Sequence, residues 1–452
     1  MLQFLQLVRA CDGHAHSNAE INVIIDVTYG EDWDAASRTV LGPISRDLAA
    51  SRDAAGEQYA VVLREPERPQ PIAVLTIAWA HDYLGVWAYD DQGRRIREFD
   101  LRRLEPDRLF CRHIAQWHYG TEDMKEFADN AGRVLIDLYP DGKGRKVSQP
   151  RGIGGGSTHT SADVPDAQRW APAVAFGDWG WAVALATGGL VRDVALRDAT
   201  TETPETPHQD GPAGLQENGH VTAPGWRPPS PLRPRHLEEM FTPGTRFSPP
   251  DDHATGPYAV ERVIDAGSLR LPTGRVVACD PGWTDPGEPF TVAVPPGSYR
   301  MEIATASYPT EHWRKALHME DFTGARIVVS DEPTVAWELA LRPGQDPRTL
   351  REGEFYGFGV DTGTGCFVDA AAADRLTGGE DTVPHDDNTD GIVVLDDPES
   401  GGNLIVYPSG MGDGSYPVWI GRDADGEVTC LVADMLILRH QELLPDRSQR
   451  DG

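Results

Sequence analysis

Short blocks of apolar residues, several with strict alternation, recur along most of the chain and predict strands. In the first half these are Ile21–Tyr29, Tyr59–Arg64, Ile72–Ala80, Leu84–Tyr89, Arg95–Leu101 and Val134–Leu138. Asp90-Asp91-Gln92-Gly93 lies between two of them and has the composition of a hairpin turn. Two stretches predict helices. Trp33–Ala55 places Ala36, Val40, Leu41, Ile44 and Leu48 at helical spacing, with Pro43 as a kink or break, and Thr121–Ala131 has Thr121 as its N-cap. Residues 199–256 are rich in Pro, Thr, Glu and Gly. They cannot build a packed core and read as a linker, with one short helical piece at His236–Phe241. Beyond them the pattern is almost entirely β, from Tyr258–Val263 through Phe290–Val294 to Val428–Leu438, with a short helix over Ala370–Leu376 capped by Asp369.

Composition narrows the function classes. The chain has 452 residues, 41 Lys plus Arg and 71 Asp plus Glu, a net charge of −30. Its length predicts two or three domains. A nucleic-acid binder shows a basic footprint, and an anionic membrane repels an acidic protein, so neither partner is expected. The charge suits divalent cations or a basic protein. The cysteines Cys11, Cys111, Cys279, Cys366 and Cys430 are odd in number and far apart in sequence, which suggests reduced thiols rather than a disulfide framework. The start MLQFLQLVRACDG reads poorly as a signal peptide, and Trp170–Val191 is too interrupted to span a bilayer. The expected location is cytoplasmic.

Candidate chemistry concentrates in Gly353–Asp369, GEFYGFGVDTGTGCFVD. As one extended strand it would line a face with Gly357, Gly359, Asp361 and Gly363, leaving bare backbone around Asp361 for a second strand or a ligand. Val360–Thr364 superficially resembles an aspartic-protease signature, but the second Asp-Thr/Ser-Gly needed for a carboxylate dyad is missing. Ser409–Tyr416 forms another Gly-rich loop, around Asp413, with no Lys or Arg to favour phosphate. Asp434 sits in a strand apolar on both faces and needs a partner, for which Arg326 is a candidate. Asp386, Asn388, Asp390 and Asp397 follow the spacing of a calcium loop without EF-hand helices, and a solvated acidic loop explains them as well. Asp12, His14 and His16 match a barrel-hydrolase metal motif without the repeated βα units that fold requires. Gly152–Ser157 reads as a flexible loop, and Cys366 as a small buried hydrophobe or a reactive thiol.

The second half resembles the bacterial domain of unknown function 4241 family. The matching segments are RVVACDP (Arg275–Pro281), VPPGSY (Val294–Tyr299), the Arg326 strand ending at Ser330-Asp331, VAWELAL (Val335–Leu341), Gly353–Ala370 and Ser409–Met435. Met411 stands where the family usually has an aromatic residue, and segment 371–402 departs from the acidic helical stretch expected there. The resemblance implies a fold and a site location, and no activity.

The expected fold class is α+β, predominantly β. A mixed α/β domain covers 1–198, the Pro-rich linker 199–256, a mostly antiparallel sandwich-like or curved-sheet domain 257–442, and a polar tail 443–452. The expected function is capture of a basic protein partner, immunity-like or scaffolding. The pocket residues would be Gly357, Gly359, Asp361, Thr362, Gly363, Asp413, Tyr416 and Asp434, and calcium is a possible cofactor. The alternative is a hydrolase in which Asp361, Asp369, Asp413 and Asp434 converge. There Asp361 or Asp413 would act as base or metal ligand and Cys366 as nucleophile.

Overall fold

The computed structural model describes residues 23–189, 191, 194–199, 228–250, 254–312, 315–379 and 391–445. The chain divides into two units, one ending at Pro229 and the other starting at Ser230, inside the proline-rich stretch. No helix among the described residues is long and apolar enough to cross a membrane.

The first unit is built on β1 (Val23–Asp34), β2 (Thr39–Ile44), β3 (Tyr59–Arg64), β4 (Ala73–Ala78), β5 (Tyr83–Tyr89), β6 (Arg95–Glu105), β7 (Arg108–His118), β8 (Gly132–Leu138), β9 (Lys143–Gln149), β10 (Thr158–Asp163), β11 (Trp170–Pro172) and β12 (Val194–Asp198). From β3 to β10 each strand pairs antiparallel with the next, and the sheet stays open. At its other end β1 lies between β3 and a parallel β12. Short helices α1 (Arg46–Ala55), α2 (Asp166–Arg169) and α3 (Gly180–Ala186) complete the unit. Alternation decides the core. Tyr59, Val61 and Leu63, then Leu75, Ile77, Leu84 and Val86, share a face and join one cluster with Trp179, Val183 and Leu185 around α3. The opposite face carries buried polar groups, with Asp100 paired to Arg102 and the His113 ring 2.8 Å from Asp137.

Helix content is lower than the sequence predicts. Trp33–Ile44 is the end of β1, a turn and β2, with Trp33 opposite Val40. Asp34 fixes that turn by accepting from the Ala36 amide and the Ser37 hydroxyl. The helix begins only after Ser45, whose hydroxyl accepts from the Leu48 amide. Thr121–Ala131 forms turns instead of a helix. Arg94 Nη1 donates to the carbonyls of Thr121, Glu122 and Met124, and Phe127 takes φ 57° to reach Trp117 and Trp87.

The second unit contains β13 (Arg246–Phe247), β14 (Tyr258–Leu271), β15 (Val276–Cys279), β16 (Gly297–His312), β17 (Lys315–Val328), β18 (Ala336–Leu339), β19 (Gly357–Val360), β20 (Thr364–Asp369), α4 (Ala373–Leu376), β21 (Val393–Asp396), β22 (Asn403–Pro408), β23 (Gly414–Arg422) and β24 (Val428–Asp434). One sheet runs β13-β14-β16-β17-β24-β23-β18, with β19 added on β23, and the other runs β15-β20-β22-β21. Their facing residues, among them Leu271, Met301, Ile327 and Leu431 against Ala278, Phe367, Ile405 and Tyr407, make one core, so the unit is a sandwich of two antiparallel sheets. The outer face of the large sheet is closed by Leu237, Met240, Phe241 and Phe247, which places residues 230–247 in this unit rather than in a linker. Leu443 bridges to Phe247, so the start of the predicted tail is also structured. Phe290–Val294, predicted as a strand, is irregular apart from a bridge at Ala293, although Phe290 and Val294 are buried.

Candidate functional site

The segment read as one strand is two. β19 belongs with the large sheet, β20 with the small one, and Asp361–Gly363 turn between them with Gly363 at φ 71°. The turn is held by a residue outside it. Asp280, fully buried at the end of β15, accepts at Oδ2 from the amides of Asp361 (2.7 Å) and Thr362 (2.8 Å). Its Oδ1 accepts from the Thr362 hydroxyl and the Gly282 amide, both at 2.8 Å. Four donors around one carboxylate compensate its desolvation. Asp369, also fully buried, is satisfied the same way by the amide and hydroxyl of Thr273 and the Ala371 amide.

Sealing these two carboxylates leaves others outside. Asp361, Thr362 and Asp413 are exposed. Pairing of β19 with β23 sets Val360 opposite Gly414, so Asp361 and Asp413 sit side by side at one end of the sandwich. The Ser409 amide donates to the Gly363 carbonyl, and the Ser409 and Tyr416 hydroxyls both donate to the Gly412 carbonyl, which fixes the two loops together. Tyr416 itself is buried beside Phe358. Gly357 pairs with Pro417. Gly359 has a separate purpose, because a Cβ there would lie 3.3 Å from the Trp283 ring. That ring rests on the bare backbone and is 41% exposed.

The other candidates lie elsewhere. Asp434 stands opposite Gly324 on β17 and accepts from the Leu436 amide at 2.8 Å, with Leu436 at φ 59°. Burial pushes its pKa up to about 6, against the opposing pull of the Leu436 amide, the Trp419 indole and Arg439. Arg326 is not its partner, since that guanidinium binds Glu302 and Glu238. Cys366 is fully buried with its Sγ 3.5 Å from that of Cys279, and burial pushes its thiol well up, away from nucleophile chemistry. The structure therefore brings Asp361 together with Asp413, and does not bring them to one pocket with Asp369, Asp434 or Cys366.

Of the calcium-like loop, Asp386, Asn388 and Asp390 lie outside the described residues, as do Asp12, His14 and His16. Asp397 is committed to Arg375, the Ser400 hydroxyl and the Glu399 and Ser400 amides, and Arg375 first of all holds its carboxyl well below the usual range. No group of three or more metal-ligating side chains occurs among the described residues.

Sequence reasoning missed Asp280 and Trp283, although RVVACDP contains the first and an Asp-Pro-Gly-Trp turn carries the second. It also missed a cleft of about 230 Å³ between β16, β17 and β24, lined by Arg300, Arg326, Ser330, Thr334 and Cys430. Its arginines are already paired, both with Glu302.

No curated protein and no solved structure matches the chain. Its second unit, over residues 269–433, matches the family described as "Protein of unknown function (DUF4241)".

Proposed function

We propose that this protein captures a basic protein partner, in the manner of an immunity or scaffolding protein, through the Trp283, Asp361 and Asp413 rim of its second unit. The observation that carries the reading is Trp283, 41% exposed and set against Gly359, two residues before the exposed Asp361 on a strand whose end pairs with Gly414, next to the exposed Asp413. Tryptophan is among the residues that dominate binding energy at protein interfaces. Acidic neighbours select a cationic counterpart, and the net charge of −30 steers it from a distance. A cytoplasmic setting belongs to the proposal and is supported by the odd number and wide spacing of the cysteines in the sequence.

The test is affinity capture from the protein's own host at low salt, run in parallel with W283A and with the double variant D361N/D413N. The expected result is one stoichiometric basic partner held by the wild type and lost from both variants, with W283A costing about 2 kcal/mol or more of affinity. Equal retention by all three overturns the assignment.

A further inference from the structure

The five cysteines look scattered in the sequence, yet the fold pairs two of them. Cys279 on β15 stands directly opposite Cys366 on β20 in antiparallel register, with the two Sγ atoms 3.5 Å apart. Both side chains point away from the main core, into a small apolar cluster with Val277, Val368, Leu404 and Val406. Neither of the other described thiols has such a neighbour. Cys430 contacts the hydroxyls of Thr334 and Thr429, and Cys111 the carbonyl of His113.

We propose that Cys279 and Cys366 form an oxidisable dithiol that closes into a cross-strand disulfide. Directly opposed strand residues have Cβ atoms about 4.5–5.5 Å apart, and a disulfide needs about 3.5–4.5 Å, so closure asks only for a small approach of the two strands. The oxidant is a small-molecule disulfide. One protein thiolate attacks it and releases one small thiol; the second thiolate attacks the mixed disulfide and releases the other. The protein loses two electrons and two protons, and the oxidant gains both in its two thiols. The pair is buried, so exchange proceeds through transient opening of the strands, and equilibrium rather than initial rate reports it. The bond would join the residue before Asp280 to the segment after the turn that Asp280 holds, and would close a loop between positions 87 apart.

The full-length chain is equilibrated in mixtures of reduced and oxidised glutathione, quenched in acid, unfolded and alkylated. The expected result is loss of two free thiols per chain. Proteolysis then yields one Cys279–Cys366 linked peptide, lighter than its two halves by two hydrogens. C279S removes the linked peptide and C430S keeps it. The melting temperature of the second unit rises on oxidation by roughly 5–10 °C. Both thiols remaining alkylatable in fully oxidised glutathione, or a linkage through any other cysteine, overturns the proposal. The assay reads no partner, so its outcome is independent of the capture assay.

Discussion

Two aspartates on either side of one turn meet opposite fates. Asp280 is wrapped by four donors at 2.7–2.8 Å, while Asp361 offers that carboxylate its amide and leaves its own side chain in water. An amide at position 280 would point a donor at donors in a site without water access, so D280N is expected to destabilise the second unit by about 2–4 kcal/mol. D361N and D413N should each stay within about 0.5 kcal/mol of wild type. Urea denaturation of the three variants decides this, and a large loss from D361N would make that residue structural. Asp434 gives a pH signature. Burial raises its pKa from 3.8 to about 6, so the neutral form is favoured in the fold. Its contribution is complete below pH ~4 and fades as pH rises through 6, by roughly 3 kcal/mol in all. D434N does not titrate and should gain on wild type by up to that amount between pH 4 and pH 7. Denaturation midpoints at several pH values that show a constant difference would reject it.

Among the elements, α3 depends most visibly on one residue. Trp179 precedes it, is almost fully buried, donates from its indole to the Tyr29 hydroxyl at 3.2 Å and packs edge-on against Phe176. W179A should cost the first unit about 3–5 kcal/mol, read by thermal denaturation with the exposed W283A as an unperturbed control. The legibility of elements in the sequence follows the same logic of who provides the partner. β3 and β4 are apolar on both faces and bounded by turn residues, and they appear where predicted. Trp33–Ile44 carries Val40, Leu41 and Ile44 at a spacing that fits a helix, but pairing with β1 and the Asp34 turn outweigh it. Thr121–Ala131 loses the carbonyls a helix would use to Arg94, a residue on a different strand. Gly353–Asp369 reads as one strand and is two, because its bend is imposed by Asp280, far away in sequence. Asp361 beside Asp413 was legible as two Gly-rich loops; the Trp283 ring on Gly359 was not, since only tertiary contact creates it.

At the scale of the molecule, the proposed capture rests on charge. Screening acts over about 8 Å at physiological ionic strength, so the field of a −30 chain reaches a partner fully only in dilute salt. The association rate with the proposed basic partner should fall about 10-fold or more between low and physiological salt, measured by stopped flow. A rate indifferent to salt would contradict electrostatic capture. The two sheet systems also differ in how far apart in the chain their pairing strands lie. From β3 to β10 every strand finds its neighbour in the next one along, so most of the first unit can zip up by short loop closures as the chain appears. The large sheet of the second unit instead seats β24 between β17 and β23, joining Val328 to Cys430. During synthesis β17 therefore waits with an unpaired edge until Val428–Asp434 emerge. This interval, rather than anything in the finished fold, is when the second unit is most open to misassembly with another copy and most in need of a chaperone.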